Sequence, residues 1–393
     1  MKGILMNTQS LWRNVRLLQL EMVITAMIFA MPILNVFYKD EIGMSLAQVG
    51  ASQAVFTIAV LLLNIPTGWL ADRFSRRWCN VFGDLTASAG FFYYAFAESF
   101  SDVVIAEIAI GIGIAFSSGA DIGLLRAYAQ SLKISYQKLA AATNTLRPIG
   151  EMIAMIIGGI VGATQPRLAI GLSAATYLMG ALISLFIKEV GERRVTQTHP
   201  LRDMANIAHY ALHGHRPLAW RIFAYAIGRT VTHPLIWLFT PLMILAGVPA
   251  QIIGVGWALN LAMVSVGSFV AHRWSEQLPE WQQFAVGSIT FILAATTLAI
   301  NTSLVTISIY CLFGFVRGWM ASTTLPALQA YTPDDIQSTV TSVAASTAQL
   351  MYIPLVWGFG ALADISLQAS LLGSIVIFSP LLILATYKIK HFS

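Results

Sequence analysis

The sequence predicts an all-α integral membrane protein that crosses the bilayer twelve times. Of its 393 residues, 57% are apolar and only 10% are charged, whereas soluble proteins carry about 25% charged residues. A chain of this composition has too few polar side chains to cover the surface of a soluble domain. Its apolar residues also form long runs, and a helix needs a run of roughly 20 to span the hydrocarbon layer.

Twelve such runs follow one another with short polar connections between them. They lie near 15–37, 46–69, 78–98, 103–126, 140–163, 168–187, 219–245, 250–271, 282–300, 304–329, 338–362 and 367–387. A single spanning segment must satisfy its backbone hydrogen bonds internally, so each run is predicted to be a helix. These spans leave little room for a soluble domain.

The basic residues predict the orientation of the spans. If the amino terminus is inside, the terminal segments and the even-numbered loops hold most of the Lys and Arg, whereas the odd-numbered loops hold only Lys39 and Arg167. Cytoplasmic loops retain positive charge, so both termini are predicted to be cytoplasmic. The charge is dispersed over many short loops, which indicates a lipid bilayer as partner and no nucleic acid.

The remaining chemistry-bearing residues predict no catalytic, metal or cofactor site. Cys79 and Cys311 lie in different spans, and the seven histidines show no ligand spacing. No nucleophile and base occur in a recognisable arrangement, and no glycine-rich loop of the phosphate-binding kind is present. The sequence therefore does not predict an enzyme.

A polar stretch near the middle divides the chain. We expect bundles at 1–187 and 219–393, joined by a cytoplasmic linker at 188–218. Within the linker, apolar residues recur at helical spacing from Leu201 to Leu212, which predicts an amphipathic segment on the membrane surface. A faint repeat supports two related halves, because the sequence Ala-Asp-Arg-Phe at 71–74 recurs as Ala-His-Arg-Trp at 271–274.

The most specific motif is the charged loop Gly-Trp-Leu-Ala-Asp-Arg-Phe-Ser-Arg-Arg at 68–77. It resembles the signature loop of the major facilitator superfamily, Gly-x-Leu-Ala-Asp-Arg-x-Gly-Arg-Arg, and departs from it only at Ser75. The resemblance implies twelve helices in two pseudo-symmetric six-helix bundles that rock about a central substrate site. It also implies a gating loop made of Gly68, Asp72, Arg73, Arg76, Arg77 and, from span 4, Asp121.

Two further stretches match superfamily patterns in part. In span 4, Glu107 stands where many members have an arginine, although the following Gly111 and Gly113 are kept. In span 5, Gly150 and the pair at 158–159 fit the antiporter pattern, whereas its central Gly-Pro is replaced. Together with the run at 118–125, this is similar to the drug- and siderophore-exporter branch.

Basic residues inside the spans are the predicted substrate ligands. Arg229 lies mid-span in helix 7 with His233 nearby, and Arg317 lies mid-span in helix 10. The resemblance implies that helices 1, 4, 7 and 10 line the central cavity. A planar guanidinium pairs with carboxylate through two hydrogen bonds, so these residues predict an anionic substrate. The alternative is that each arginine bridges to an acid of helix 1 or helix 4.

The acids inside the spans lie in the first half. Glu151 stands four residues after Arg147, where the two side chains can neutralise each other; otherwise Glu151, like Glu21, is a candidate proton carrier. Asp84 and Asp121 lie near the loop arginines and are expected in a gating ion-pair network. Glu107 is expected to snorkel toward the outer surface.

The function predicted from these features is secondary active transport, as proton-coupled export of an amphipathic organic anion across the bacterial inner membrane. The most specific form of this prediction is that the anion is a citrate-type siderophore such as aerobactin. The alternatives are a multidrug exporter of lipophilic compounds, an importer of small organic acids or sugars, and a non-transporting membrane receptor.

Overall fold

A computed structural model describes residues 7–190, 206–274, 277–333 and 336–392, and within these ranges the chain is helical and contains no strand. The helices are α1 Thr8–Thr25, α2 Leu46–Arg73, α3 Arg76–Tyr94, α4 Phe100–Leu132, α5 Tyr136–Gly162, α6 Pro166–Ser184, α7 Arg216–Thr230, α8 Phe239–Leu245, α9 Ile253–Trp274, α10 Glu280–Ile300, α11 Cys311–Ala330, α12 Gln337–Ile365 and α13 Leu367–Phe392. The all-α prediction is confirmed for these residues.

Eight helical segments in the described part of the chain are long and apolar enough to cross a membrane. The other predicted spans fall on helices that are interrupted or carry more charge. The first span breaks where α1 ends at Thr25, and the seventh is divided between α7 and α8. The protein is therefore a multi-pass membrane protein, and the count of twelve spans stays a prediction.

The chain divides into two compact units. Unit 1 comprises Met1–Gly43, Val55–Thr196 and Ala250–Ala258, and unit 2 comprises Met44–Ala54, Gln197–Pro249 and Leu259–Ser393. The predicted linker falls mainly on 191–205, outside the described residues, so its boundaries stay predictions. Of the amphipathic segment, residues 206–209 are helical and continue into a π-helical turn at Tyr210–Gly214.

In unit 1, glycines allow helices α3 and α4 to approach closely. A Cβ atom added at Gly83 would lie 2.6 Å from the carbonyl oxygen of Gly113, so the two backbones are in contact. Small residues are common where membrane helices meet. Because the hydrophobic effect does not drive helix association in lipid, the helices depend on close van der Waals packing. The amino terminus of α4 is closed by a capping box, in which Ser99 and Asp102 each bond the other's backbone.

In unit 2, the same device brings α9 and α11 together. Gly267, Gly314 and Gly318 each face backbone of the opposite helix at a separation that leaves no room for a Cβ atom. Asn260 adds a polar contact by donating from its amide to the carbonyl of Tyr310 at 3.2 Å. These contacts fix the position of α11, which carries Arg317.

The amino terminus of α2 is capped by a residue more than 300 positions away. The carboxylate of Asp364 accepts hydrogen bonds from the backbone N–H groups of Leu46 at 2.7 Å and Ala47 at 2.9 Å, all within unit 2. The first N–H groups of a helix lack partners inside the helix, and the helix dipole favours negative charge at that end. The contact joins the start of α2 to the end of α12.

We expect the substitution Asp364→Ala to lower the free energy of unfolding by about 1 kcal/mol, the usual effect of losing an N-terminal cap. Thermal unfolding of the purified protein in detergent measures this loss. Asp40→Ala, which removes an exposed acid, is the matched control. Equal stability of the two variants would contradict the assignment of Asp364 as a cap.

Candidate functional site

The predicted substrate ligands lie around a break in the seventh span. Helix α7 ends at Thr230, and the chain then forms a 3₁₀ turn at Pro234–Leu238 before α8 begins. Pro234 cannot donate a backbone hydrogen bond, which favours this irregular geometry at the break. The Thr230 hydroxyl donates to the carbonyls of Ala226 at 2.7 Å and Ala348 at 3.2 Å, which holds the end of α7 against α12.

The structure brings the three predicted basic residues close together within unit 2. His233, at the break, lies within electrostatic reach of both Arg229 on α7 and Arg317 on α11. The side chains of Arg229 and His233 are exposed, and Arg317 is partly exposed. Two guanidinium groups and an imidazole thus lie within electrostatic reach of one another, and two of the three side chains are exposed.

Aromatic side chains border this cluster. The ring of Tyr352 on α12 lies 4.6 Å from that of His233, measured between centroids, and the indole N–H of Trp237 donates to the Tyr352 hydroxyl at 3.1 Å. Tyr225 lies one turn before Arg229, with its ring 6.0 Å from the guanidinium carbon. The positively charged cluster thus lies beside buried aromatic rings.

Arg229 forms no ion pair with an acid among the residues the structure describes. Arg317 lies beside Tyr310 as well as His233, and it has further contacts of its own. The alternative of bridges to acids of helices 1 and 4 stays a prediction.

On the acidic side, Arg147 and Glu151 on α5 form the predicted i, i+4 ion pair. The guanidinium Nε lies 3.5 Å from Glu151 Oε1, with 50% of the arginine side chain and 28% of the glutamate side chain exposed. Glu151 is therefore a partly exposed, partnered acid.

Glu21, the other predicted proton carrier, is fully buried on α1. Its neighbours are Asn80 and Asp84 of α3 and Asp121 of α4, all within unit 1. Asp84 is also fully buried, whereas Asp121 is partly exposed. The sequence predicts these two aspartates beside the loop arginines, whereas in the structure they lie beside Glu21.

Glu107 does not snorkel, and that expectation is wrong. Its carboxylate is 5% exposed and accepts hydrogen bonds from the hydroxyls of Tyr94 at 3.2 Å and Tyr38 at 3.4 Å. The two tyrosine hydroxyls also bond each other. Hydrogen bonds from these hydroxyls compensate the cost of burying the carboxylate, so Glu107 remains inside the protein.

In the charged loop, α2 runs to Arg73 and α3 starts at Arg76, with Ser75 as its cap. The Ser75 hydroxyl accepts from Trp78 N–H at 3.2 Å and donates to Glu189 at 2.7 Å. Glu189 also accepts from the backbone N–H of Arg76 at 2.9 Å. The residue that departs from the signature thus has its own capping role.

The loop arginines lie against rings and carbonyl groups. Arg73 lies over Trp69, and Arg77 lies over Trp78 and donates to the carbonyl of Leu185 at 2.5 Å. Gly68 has open space at its Cβ position. The side chain of Asp72 lies outside the described residues, so its gating role stays a prediction.

Two residues of these sites were missed by sequence reasoning. Glu189 holds the charged loop, and its one signal is an acid directly after span 6. Tyr352 contacts His233, and its one signal is a polar aromatic residue inside an apolar span. Both are ordinary features of membrane proteins, so neither stands out in the sequence.

We expect the substitution Ser75→Ala to lower the free energy of unfolding by about 1 kcal/mol, because α3 loses its cap. Ser75→Thr keeps a hydroxyl and serves as the control. Thermal unfolding in detergent measures both variants. If Ser75→Ala is as stable as the wild type, the contacts with Trp78 and Glu189 contribute nothing measurable.

Membrane-spanning helices with ionisable side chains at inner positions are typical of proteins that move polar solutes or ions through the bilayer. The comparisons with known proteins agree with this class. The chain belongs to the Major Facilitator Superfamily, whose family model matches residues 21–356. It is a transporter rather than an enzyme.

Solved structures of superfamily transporters share the fold. A mutant of the nucleoside transporter NupG aligns with a TM-score of 0.82 and 12% identity, over 97% of this chain and 99% of the other. A bacterial homolog of the human lysosomal transporter Spinster, inward-facing and unoccupied, aligns with a TM-score of 0.77 and 13% identity, over 98% and 99%. No curated protein matches the sequence. Identities this low show a common fold only.

Proposed function

We propose that this protein is a proton-coupled transporter of an amphipathic organic anion. The observation that carries the proposal is the convergence of Arg229, His233 and Arg317 within unit 2, where the first two side chains are exposed. Charges inside spans cost at least a few kcal/mol each, so they persist where they serve a function or find a partner.

The chemistry of the cluster favours a carboxylate. Each guanidinium offers a planar pair of donors that matches the two carboxylate oxygens, and the imidazole of His233 supplies another donor. The rings of Tyr225, Tyr352 and Trp237 pack beside these groups and are themselves buried. The carboxylate is therefore the part of the proposed anion that this cluster would recognise.

The direction and the identity of the substrate belong to the same proposal. The partial antiporter pattern of span 5 favours export, and a citrate-type siderophore such as aerobactin has the carboxylates that the arginines require. The proposed setting is the bacterial inner membrane, with twelve spans and both termini cytoplasmic, as the positive-inside rule indicates. Import of a small organic acid uses the same ligands in the opposite direction.

Two alternatives make different demands on the site. A multidrug exporter of lipophilic cations needs an accessible acid and is indifferent to the loss of Arg229. A non-transporting receptor shows no substrate flux in proteoliposomes. The nucleoside substrate named for NupG is a property of that protein.

A ligand screen on the purified protein tests the substrate class. A ligand that binds the folded protein raises its unfolding temperature. We expect di- and tricarboxylates, citrate among them, to raise it more than lipophilic cations or nucleosides do. Comparison of the culture medium of cells with and without the protein then identifies the natural anion.

We expect Arg229→Gln and Arg317→Gln each to weaken anion binding by about ten- to a hundredfold, because a hydrogen bond to a charged group contributes roughly 1.5–3 kcal/mol. The thermal shift with citrate, or with the anion identified in the medium, measures this loss. Arg126→Gln removes a guanidinium that lies over Tyr136 and should bind as the wild type does. Unchanged binding by both test variants would rule out an anion held by these arginines.

We expect Glu151→Gln to change proton coupling less than substitution of the buried acid Glu21 would, because Glu151 is partly exposed and paired with Arg147. Substrate flux in proteoliposomes, with and without an imposed pH gradient, measures the effect. Loss of the gradient dependence in this variant would return the proton role to Glu151.

A further inference from the structure

Unit 1 contains a buried cluster of polar side chains contributed by three helices. It consists of Glu21 on α1, Asn80 and Asp84 on α3, and Asp121 on α4. The first three are fully buried, and Asp121 is partly exposed. Glu21 neighbours the other three members, and Asp84 neighbours Asp121.

Five side-chain oxygen atoms of this cluster have no hydrogen-bond donor. Glu21 Oε2, Asn80 Oδ1, both carboxylate oxygens of Asp84 and Asp121 Oδ1 are buried and have no hydrogen-bond partner. The nearest hydroxyl, that of Thr25, bonds the backbone carbonyl of Glu21 at 3.0 Å and lies 3.5 Å from Glu21 Oε1. Buried polar atoms in native proteins nearly always have partners, so five such atoms in one place indicate a missing donor.

Asn80 adds an uncharged amide oxygen to the carboxyl groups of the cluster. Its amide N–H donates to the Ser184 hydroxyl at 3.2 Å on α6, which leaves its own oxygen buried and unpartnered. On the same side, a Cβ atom at Gly180 would lie 3.0 Å from Asp84 Oδ2, so the α6 backbone closes over the carboxyl group. The acceptors therefore face one another in an enclosed place.

The charges around the cluster do not neutralise it. Arg147 on α5 lies near Asp121, but it is already paired with Glu151 at 3.5 Å and is half exposed. Tyr177 on α6 lies near Asp84 and Glu21 and adds no positive charge. The guanidinium of Arg147 is thus the one positive charge named here against four acids, the three of the cluster and its own partner Glu151.

A proton supplies the donor that the cluster lacks. Burying unpaired carboxylates is costly, and a proton on one carboxyl turns it into an O–H donor for the oxygen of its neighbour. No three Asp, Glu, His or Cys side chains in the described ranges are arranged to hold a metal ion. The acceptor set therefore matches a proton better than a multivalent cation.

We propose that Glu21, Asp84 and Asp121, with Asn80, form a shared proton-binding site in unit 1, and that this site rather than Glu151 carries the coupling proton. The proton is taken from water, bonds to a carboxylate oxygen and is later returned to water. Its role in transport rests on the proposed function; the binding of the proton does not.

Infrared difference spectroscopy on the full-length protein in lipid nanodiscs tests this site without any substrate. We expect a protonated-carboxyl C=O band that titrates with pH and shifts in D₂O. It should be lost in the double variant Glu21→Gln/Asp84→Asn and weakened in Asp121→Asn. Glu98→Gln removes an exposed acid and should leave the band unchanged.

The outcomes separate the proton site from the transport proposal. An absent band, or one that persists at full intensity in the folded double variant, overturns the site, as does a band displaced by NaCl but not by choline chloride, which would indicate Na⁺. If the double variant does not fold, two measurements still test the site. They are the effect of NaCl on the band of the wild type and the intensity of the band in Asp121→Asn. In proteoliposomes, Asp84→Asn should abolish the gradient dependence of citrate flux; failure of citrate to move at all would concern only the anion proposal.

Discussion

The cost of placing charged and polar groups inside membrane-spanning helices is the constraint on which this structure depends. A charge kept in a span must be paired, solvated or protonated. Among the described residues, Arg147 and Glu151 pair with each other, Arg229 is exposed, and Glu107 accepts hydrogen bonds from two tyrosine hydroxyls. The position of each charge inside a span therefore indicates that a compensating group or solvent lies next to it.

The two compact units differ in the sign of these charges. In unit 2 the interior charges include Arg229 and Arg317, and the side chains of Arg229 and His233 are exposed. In unit 1 they are mostly carboxyl groups, and Glu21 and Asp84 are fully buried. A site that takes up an anion and a site that takes up a proton have these opposite requirements, so separate units can serve the two tasks.

The helices carry these side chains to their places through backbone contacts. Glycines such as Gly83 and Gly318 bring helices together until their backbones touch, and long-range caps such as Asp364 close helix ends with residues distant in the chain. The break after Thr230 places His233 off the regular helix. Positions set by packed backbones vary less than positions set by mobile loops.

The sequence by itself determined the helical class, the membrane environment and the identity of the interior charges, because run length, composition and i, i+4 spacing are local properties. It found Arg229, Arg317 and the pair Arg147 and Glu151 for that reason. Only the tertiary structure decided which side chains meet: Glu21 with Asp84, and Tyr352 with His233. A span that is apolar on all sides has no periodic pattern to show which face lies inward, so these neighbours depend on how all the helices pack.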